Sequence, residues 1–87
     1  MLDEETLQML QVLSDRCDPP PWTASVEGRD HMSGDDFILT GTGDNRGEDI
    51  HVTRESEPAS AAYLDLIAAA RTYLPILINE VRTLRNS

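Results

Sequence analysis

The sequence contains no lysine, and its seven cationic side chains, all arginine, stand against sixteen carboxylates. The net charge at pH 7 is therefore -9. Binding to a nucleic acid through its phosphates needs a basic surface, so this balance argues against a nucleic-acid partner. The excess of acids is concentrated in residues 22–59, where nine acids face three arginines, whereas residues 60–87 carry a net charge of +1.

Cysteine is nearly absent, since Cys17 is the only one. One cysteine cannot form an internal disulfide, which favours a reducing, cytoplasmic location. There is no run of eighteen apolar residues, so we expect no membrane span. Residues 1–5 are acidic and lack the apolar core of a secretory signal. The length of 87 residues indicates a single domain, residues 1–87, with a thin core.

The longest periodic stretch is residues 60–85, where apolar side chains recur every three or four positions. This period predicts a helix, with Ser60 as the best N-cap and Ser56 as the alternative. Pro75 lies inside the stretch and predicts either a kink or a break. We favour the kink, because a break would need a polar cap before Pro75, and Leu74 is apolar.

The apolar arc of this helix is nearly twice the roughly 100° that packing against one surface requires. The surplus predicts self-association through the C-terminal helix, as a homodimer by default or as a higher homo-oligomer. The alternative is that the rest of the chain covers the whole arc. The residues expected at the interface are Ile67, Leu74, Leu77, Ile78, Val81 and Leu84.

The remaining elements are shorter. Residues 3–17 predict a first helix with Asp3 as its cap. Alternating segments at residues 22–26, 37–42 and 50–54 predict three strands, and the loops between them favour an antiparallel meander. The expected fold class is therefore α+β with the element order α-β-β-β-α, in which both helices cover one face of the sheet.

The sequence pattern also predicts which side chains of these elements face the core. In the second strand, Phe37, Leu39 and Gly41 share the expected inner face. Trp22 follows three consecutive prolines and is expected to anchor that connection in the core. Cys17 is interpreted as a small core residue rather than a reactive thiol. The apolar stripe predicted for the first helix consists of Leu2, Met9, Leu10, Leu13 and Cys17.

Few residues suggest a chemical activity. Cys17, His31 and His51 are the strongest candidate metal ligands, but no two of them have a ligand spacing. The glycine-rich residues 41–47 lack the Lys-Ser/Thr of a phosphate-binding loop and do not match a calcium loop. No nucleophile and base can be paired from the sequence. We therefore predict a non-enzymatic protein with no metal and no other cofactor.

Two further hypotheses follow from the charged residues. The acidic middle segment fits an inhibitor, immunity-type or anti-defence protein that masks a basic site on a protein partner. Arg46 and Arg54, together with the glycine-rich loops, fit a binder of a small anionic ligand. The acids expected to form the partner surface are Asp35, Asp36, Asp44, Glu48 and Asp49.

One pattern of residues suggests a relationship. Pro21 and Trp22 precede polar strands, and the helix carries LIAAAR at residues 66–71, LP at 74–75 and EVRTLR at 80–85. This pattern resembles small uncharacterised accessory proteins of phage, prophage and actinobacterial genomes. The resemblance covers about half of the chain, mostly the C-terminal helix. It implies a mobile-element or accessory context and brings no catalytic residue with it.

Overall fold

In the computed structural model, which describes residues 2–86, a long C-terminal helix packs against a β-hairpin and against a shorter N-terminal helix. The strands are antiparallel neighbours, and the second helix contacts the first helix and both strands. The predicted α+β class, with an N-terminal and a long C-terminal helix, is confirmed. The elements are α1 (Glu4–Asp15), β1 (Trp22–Ser25), β2 (Phe37–Thr40), a 3-10 turn (Gly43–Asn45) and α2 (Ala61–Arg85).

Helix α1 begins at the predicted cap, because the Asp3 carboxylate accepts a hydrogen bond from the Thr6 amide at 2.7 Å. The predicted apolar stripe is wrong. Leu7 and Ser14 are the buried residues of this helix, whereas Met9 and Leu13 are half exposed. Among the described elements, α1 contacts α2 and neither strand, so the expectation that both helices cover one face of the sheet is wrong. Contact with one helix covers only one face of α1.

Cys17 lies beyond the end of α1 and is exposed. Its interpretation as a core residue is therefore wrong. The helix ends at Asp15, before the chain enters the three prolines. The stripe on which Cys17 was placed required the helix to continue to residue 17, and that last turn does not form.

The hairpin buries the face of β2 opposite to the predicted one. Ile38 and Thr40 have no exposed surface, while Phe37 is half-buried on the other face. Ile38 pairs with Ala24, and together they pack against α2. The buried Thr40 hydroxyl donates a hydrogen bond to a backbone carbonyl, that of Glu48, at 3.0 Å. Because this bond satisfies the hydroxyl, a polar side chain can occupy the core position.

The third predicted strand, residues 50–54, is not seen in residues 2–86. Ile50 forms both backbone hydrogen bonds of an antiparallel bridge with Ile38, each at 2.9 Å. The chain then turns back on itself, because the Arg54 amide donates to the Glu57 carbonyl at 2.6 Å. This turn directs the segment away from β2 after one bridge.

Trp22 anchors the segment between α1 and β1, as predicted. Its indole donates to the Asp18 carbonyl at 3.1 Å, and its amide donates to the Thr72 hydroxyl at 3.0 Å. That hydroxyl in turn donates to the Trp22 carbonyl. The peptide bond between Pro20 and Pro21 is cis. Trp22 therefore joins the proline segment that follows α1 to the start of β1 and to α2.

Helix α2 starts after Ser60, which is the predicted cap position although its side chain makes no capping hydrogen bond. The helix continues through Pro75, so the alternative of a break there is wrong. Leu64 and Ala68 are buried against Ala24 and Ile38 of the hairpin. This cluster is the centre of the core.

Candidate functional site

The apolar side chains of α2 lie on two separate faces. One face packs on the hairpin and on α1, and its most buried members are Leu64 and Ile78, with 1% and 2% exposure. The other face carries a second stripe, here called the exposed seam. Leu66 and Leu84 in it are 68% and 65% exposed. The exposed seam consists of Tyr63, Leu66, Ala70, Tyr73, Leu77, Glu80 and Leu84.

The spacing within the exposed seam alternates between three and four residues throughout. This is the heptad spacing with which helices pack side by side in coiled coils. Every member except Glu80 is apolar or aromatic, and all are exposed. Soluble monomers rarely expose a contiguous apolar patch of this kind, which usually marks an interaction site. The exposed seam is therefore the candidate functional surface.

The structure divides the six residues predicted at the interface. Ile78 is buried against α1, and Leu74, Leu77 and Val81 line the same groove between the two helices, with Leu7 and Leu10 opposite. Leu74, Ile78 and Val81 therefore serve the fold. Leu77 lies at the edge of this groove, because 55% of its surface is exposed.

Of the remaining predicted interface residues, Ile67 packs against the hairpin core. Leu77 and Leu84 belong to the exposed seam, being 55% and 65% exposed. Leu66 and Tyr73 share the exposed seam but were not among the predicted interface residues. The alternation of threes and fours from Tyr63 to Leu84 was the signal that could have found them.

An arginine lies beside one end of the exposed seam, and the one charged member of the seam, Glu80, lies near the other end. The Arg54 guanidinium carbon lies 5.0 Å from the centroid of the Tyr63 ring. Glu80 is exposed near the other end of α2. Neither Arg54 nor Glu80 forms an ion pair within residues 2–86. The seam thus has one cationic and one anionic end.

The two arginines proposed to hold an anionic ligand contact different residues. Arg46 pairs with Asp49 in its own loop, whereas Arg54 lies on the ring of Tyr63 in α2.

The backbone conformation of the glycine-rich loop, residues 41–47, requires glycine at position 41. Gly41 has φ +71°, and a Cβ there would lie 2.3 Å from the Asn45 carbonyl oxygen. Loop geometry therefore accounts for this glycine without a phosphate.

The five predicted partner-surface acids lie before and after β2, and three of them have partners in the chain. Asp35 lies 3.1 Å from His51 Nε2, and Asp49 pairs with Arg46. The Asp36 carboxylate accepts the Glu27 amide at 2.8 Å. The other two, Asp44 and Glu48, are exposed. Their carboxylates have no ion-pair partner in the part of the chain that the structure describes.

Both histidines contact one aromatic ring. Phe37 stacks on His31, with ring centroids 5.1 Å apart, and lies 5.8 Å from His51 on its other side. His51 and Asp35 line a shallow cleft with Val52 and Pro58. Within residues 2–86, no group of three His, Cys, Asp or Glu side chains is arranged to hold a metal ion.

By length and composition alone, α2 could cross a membrane, since an 18-residue window has a mean hydropathy of 1.4, with 17% of that window buried. Charged residues interrupt the apolar stretch of α2, so it contains no unbroken run of eighteen apolar residues. Two charged side chains of α2 are nevertheless engaged within the fold. Asp65 forms an ion pair with Arg29 at 3.0 Å, and Arg71 donates to the Ser14 carbonyl at 2.9 Å.

The ion pair of Arg29 with Asp65 joins the hairpin loop to α2. Hydrogen bonds from Arg29 lower the pKa of the Asp65 carboxyl below its ordinary value. The same bonds, with those to Asp30, raise the pKa of the Arg29 guanidinium. Both groups are therefore charged at neutral pH, and their attraction holds the loop against the helix.

No family model, curated protein or solved structure matches this chain. The fold and the exposed seam are therefore the observations from which a function is inferred.

Proposed function

We propose that this is a small acidic, non-enzymatic interaction protein that associates with a second copy of itself through the exposed seam of α2. The observation that carries the proposal is the heptad spacing of seven exposed positions, six of them apolar or aromatic. Burying such a stripe against an equivalent helix stabilises the pair by about 25 cal/mol for each Å² of apolar surface that is removed from water. A two-fold arrangement supplies the same stripe from both copies.

The small size of the core supports this proposal. Only seven apolar residues among residues 2–86 are buried, and three of them are alanines. A chain of this length gains stability from oligomerisation, because its own core is limited. The proposal includes a cytoplasmic location. The exposed single thiol of Cys17 and the acidic composition support this location.

Sedimentation equilibrium combined with native mass spectrometry tests the proposal. We expect the wild-type protein to form dimers of 9.7 kDa units. Leu66→Glu should give monomers with an unchanged circular dichroism spectrum, since Leu66 is 68% exposed. The matched control is Asn79→Glu, which places the same charge at an exposed position of α2 outside the seam. A monomeric wild-type protein at millimolar concentration would refute the proposal.

A membrane is the other environment that could cover the seam. Co-sedimentation with vesicles of phosphatidylcholine and phosphatidylglycerol distinguishes it from a second copy. We expect the protein to remain in the supernatant, because Asp65 and Arg71 of α2 are held by partners within the fold. Vesicle binding that Leu66→Glu abolishes, with no dimer in solution, would replace self-association by membrane association.

A second candidate function is masking of a basic site on another protein. This function would suit an accessory protein of a mobile element, which is the context that the resemblance to phage proteins implies. Asp44 and Glu48 support it, because their exposed carboxylates have no ion-pair partner in residues 2–86. Such binding weakens steeply with salt. Capture of a basic partner that is lost at high salt, and lost on Asp44→Asn with Glu48→Gln, would favour this function.

The three-stranded meander also remains a proposal. The Ile38–Ile50 bridge supports it, because a bridge with both hydrogen bonds is the first rung of a third strand. Strand-like chemical shifts from Ile50 through Thr53 would establish the strand. Turn-like shifts beginning at Val52 would exclude it.

A further inference from the structure

We infer that the two copies pair antiparallel along α2, so that Glu80 of each chain meets Tyr63 and Arg54 of the partner subunit. The inference rests on the self-association proposed above and adds its direction and register. It commits the exposed seam to one occupant, the same seam of a second copy. The observations behind it are the positions of one acid and one base along the stripe.

The charge pattern decides the direction. In a parallel pair with aligned heptads, equivalent residues face each other, so the two Glu80 carboxylates would meet in the seam. Like charges at such a contact repel, and burial raises the cost. In an antiparallel pair the ends are exchanged. Glu80 then reaches the end that carries Arg54, whose guanidinium carbon is 5.0 Å from the centroid of the Tyr63 ring. The two groups are complementary in charge, and neither forms an ion pair in its own chain within residues 2–86.

The shapes of the side chains agree with the same register. When Glu80 lies opposite Tyr63 of the partner subunit, Leu66 lies opposite the partner subunit's Leu77. Ala70 then lies opposite the partner subunit's Tyr73. The smallest member of the seam therefore faces one of its two largest, which is how facing layers fill space without a void. A parallel pair would place the two Ala70 side chains together and the two Tyr73 rings together.

A register displaced by one heptad fits less well. It would place Glu80 opposite Ala70 of the partner subunit, in the middle of the seam. No cation lies among the seam residues there. A carboxylate covered without a cation or a hydrogen bond is costly. The register with Glu80 at Tyr63 and Arg54 avoids this, because it places the acid at the end of the contact beside a cation.

Disulfide trapping tests the direction and the register. In a Cys17→Ser background, Leu66→Cys and Leu77→Cys variants are oxidised separately and as a mixture. A disulfide requires Cα atoms within about 7 Å. In the inferred register, positions 66 are separated by eleven residues along the helix, about 16 Å, so Leu66→Cys alone should not cross-link. The mixture should give a disulfide between position 66 and position 77.

Three results would overturn the inference. Rapid cross-linking of Leu66→Cys with itself would show a parallel pair. Cross-linking of Leu66→Cys with Leu84→Cys, in preference to Leu77→Cys, would show the displaced register. If sedimentation detects dimers but none of these positions cross-links, the two copies use another contact surface. A protein that sediments as a monomer would instead refute the self-association itself, so the two failures are distinguishable.

Charge exchange gives an independent test. Glu80→Gln should weaken the dimer by about two- to thirtyfold, because a two-fold dimer loses two exposed ion pairs. In a parallel pair the same change would relieve repulsion and tighten the dimer, so the sign decides. Glu80→Arg and Arg54→Glu should each weaken association, and the double variant should recover it. Absence of recovery in the double variant would count against the contact. Both residues are exposed, and circular dichroism verifies that each variant is folded.

Discussion

The guanidinium of Arg71 in α2 donates hydrogen bonds to both the hydroxyl and the carbonyl of Ser14 in α1. It also donates to the Asp18 carbonyl at 3.1 Å and lies 5.7 Å from the centroid of the Trp22 ring. The last carbonyls of a helix have no partners within it, and cations near them are favourable. Helix α1 has no basic residue in its last turn, so α2 supplies one. This contact explains why a charged residue interrupts the apolar sequence of α2.

We expect Arg71→Ala to lower the free energy of unfolding by about 2–3 kcal/mol, because it leaves carbonyl acceptors at the α1–α2 junction without their charged donor. Arg71→Lys should cost about half as much, since an ammonium cannot donate in the fork geometry of a guanidinium. Urea unfolding at one fixed protein concentration measures both variants. Arg16→Ala is the control, because its exposed side chain makes no ion pair within residues 2–86. An equal loss in Arg16→Ala and Arg71→Ala would contradict the assigned role.

Asp65 is expected to make stability depend on pH. Hydrogen bonds from Arg29 hold the pKa of its carboxyl below the ordinary value of 3.8. A lowered folded-state pKa stabilises the protein fully above 3.8, and this contribution is lost as the pH falls through the folded value. Asp65→Asn should therefore be less stable than the wild type at pH 7 and equally stable below the lowered pKa.

Unfolding by urea between pH 2 and pH 7 checks this expectation, and high salt should reduce the difference because the pair is exposed. Glu55→Gln is the matched control, since that exposed carboxylate forms no ion pair in the described residues. A difference between Asp65→Asn and the wild type that stays constant with pH would show that the ion pair contributes nothing.

Alanine substitutions at Gly41 and Gly43 distinguish the cost of a positive φ angle from the cost of a steric contact. Both have positive φ, +71° and +55°, but only at Gly41 would a Cβ meet the backbone, 2.3 Å from the Asn45 oxygen. We expect Gly43→Ala to cost about 1 kcal/mol for its conformation. Gly41→Ala should cost clearly more, because the Gly43–Asn45 turn must move. Thermal unfolding compares the two, and equal melting temperatures would refute the close contact.

Ile78 and Leu77 are neighbours on α2 with different roles. Ile78 is 2% exposed, so Ile78→Ala should lower the stability of the monomer by about 2–5 kcal/mol. Leu77 is 55% exposed, so Leu77→Ala should change monomer stability by less than about 1 kcal/mol and should weaken the dimer instead. Urea unfolding at low protein concentration gives the first quantity, and sedimentation gives the second. Equal effects of the two variants on association would contradict the division of α2 into two faces.

The features predicted correctly are those that neighbouring residues govern. Asp3 caps α1 because its carboxylate reaches an amide three residues away. Helix α2 passes through Pro75 because the residue before it is no cap and the apolar period continues on both sides. The antiparallel pairing of β1 and β2 was predicted because a parallel pair would need a crossover connection, and the polar residues between the strands predict none.

The errors have both local and long-range causes. The inner face of β2 was predicted from hydrophobicity, which favours Phe37 over Thr40, but the buried Thr40 hydroxyl donates to the Glu48 carbonyl. The third segment leaves β2 at a local turn, in which the Arg54 amide donates to the Glu57 carbonyl. The side chains of α2 have a long-range cause, since only the position of α1 shows that Ile78 is covered and Leu66 is not.

Local chemistry within the chain is thus sufficient for the helix positions, their caps, the acidic charge and the excess of apolar residues on α2. Periodicity shows how many apolar residues a helix carries. It does not show which of them the rest of the chain covers, because burial depends on contacts between residues far apart in sequence. Packing of α1 and the hairpin on one side of α2 made that assignment, and it left the heptad-spaced stripe on the other side exposed to solvent.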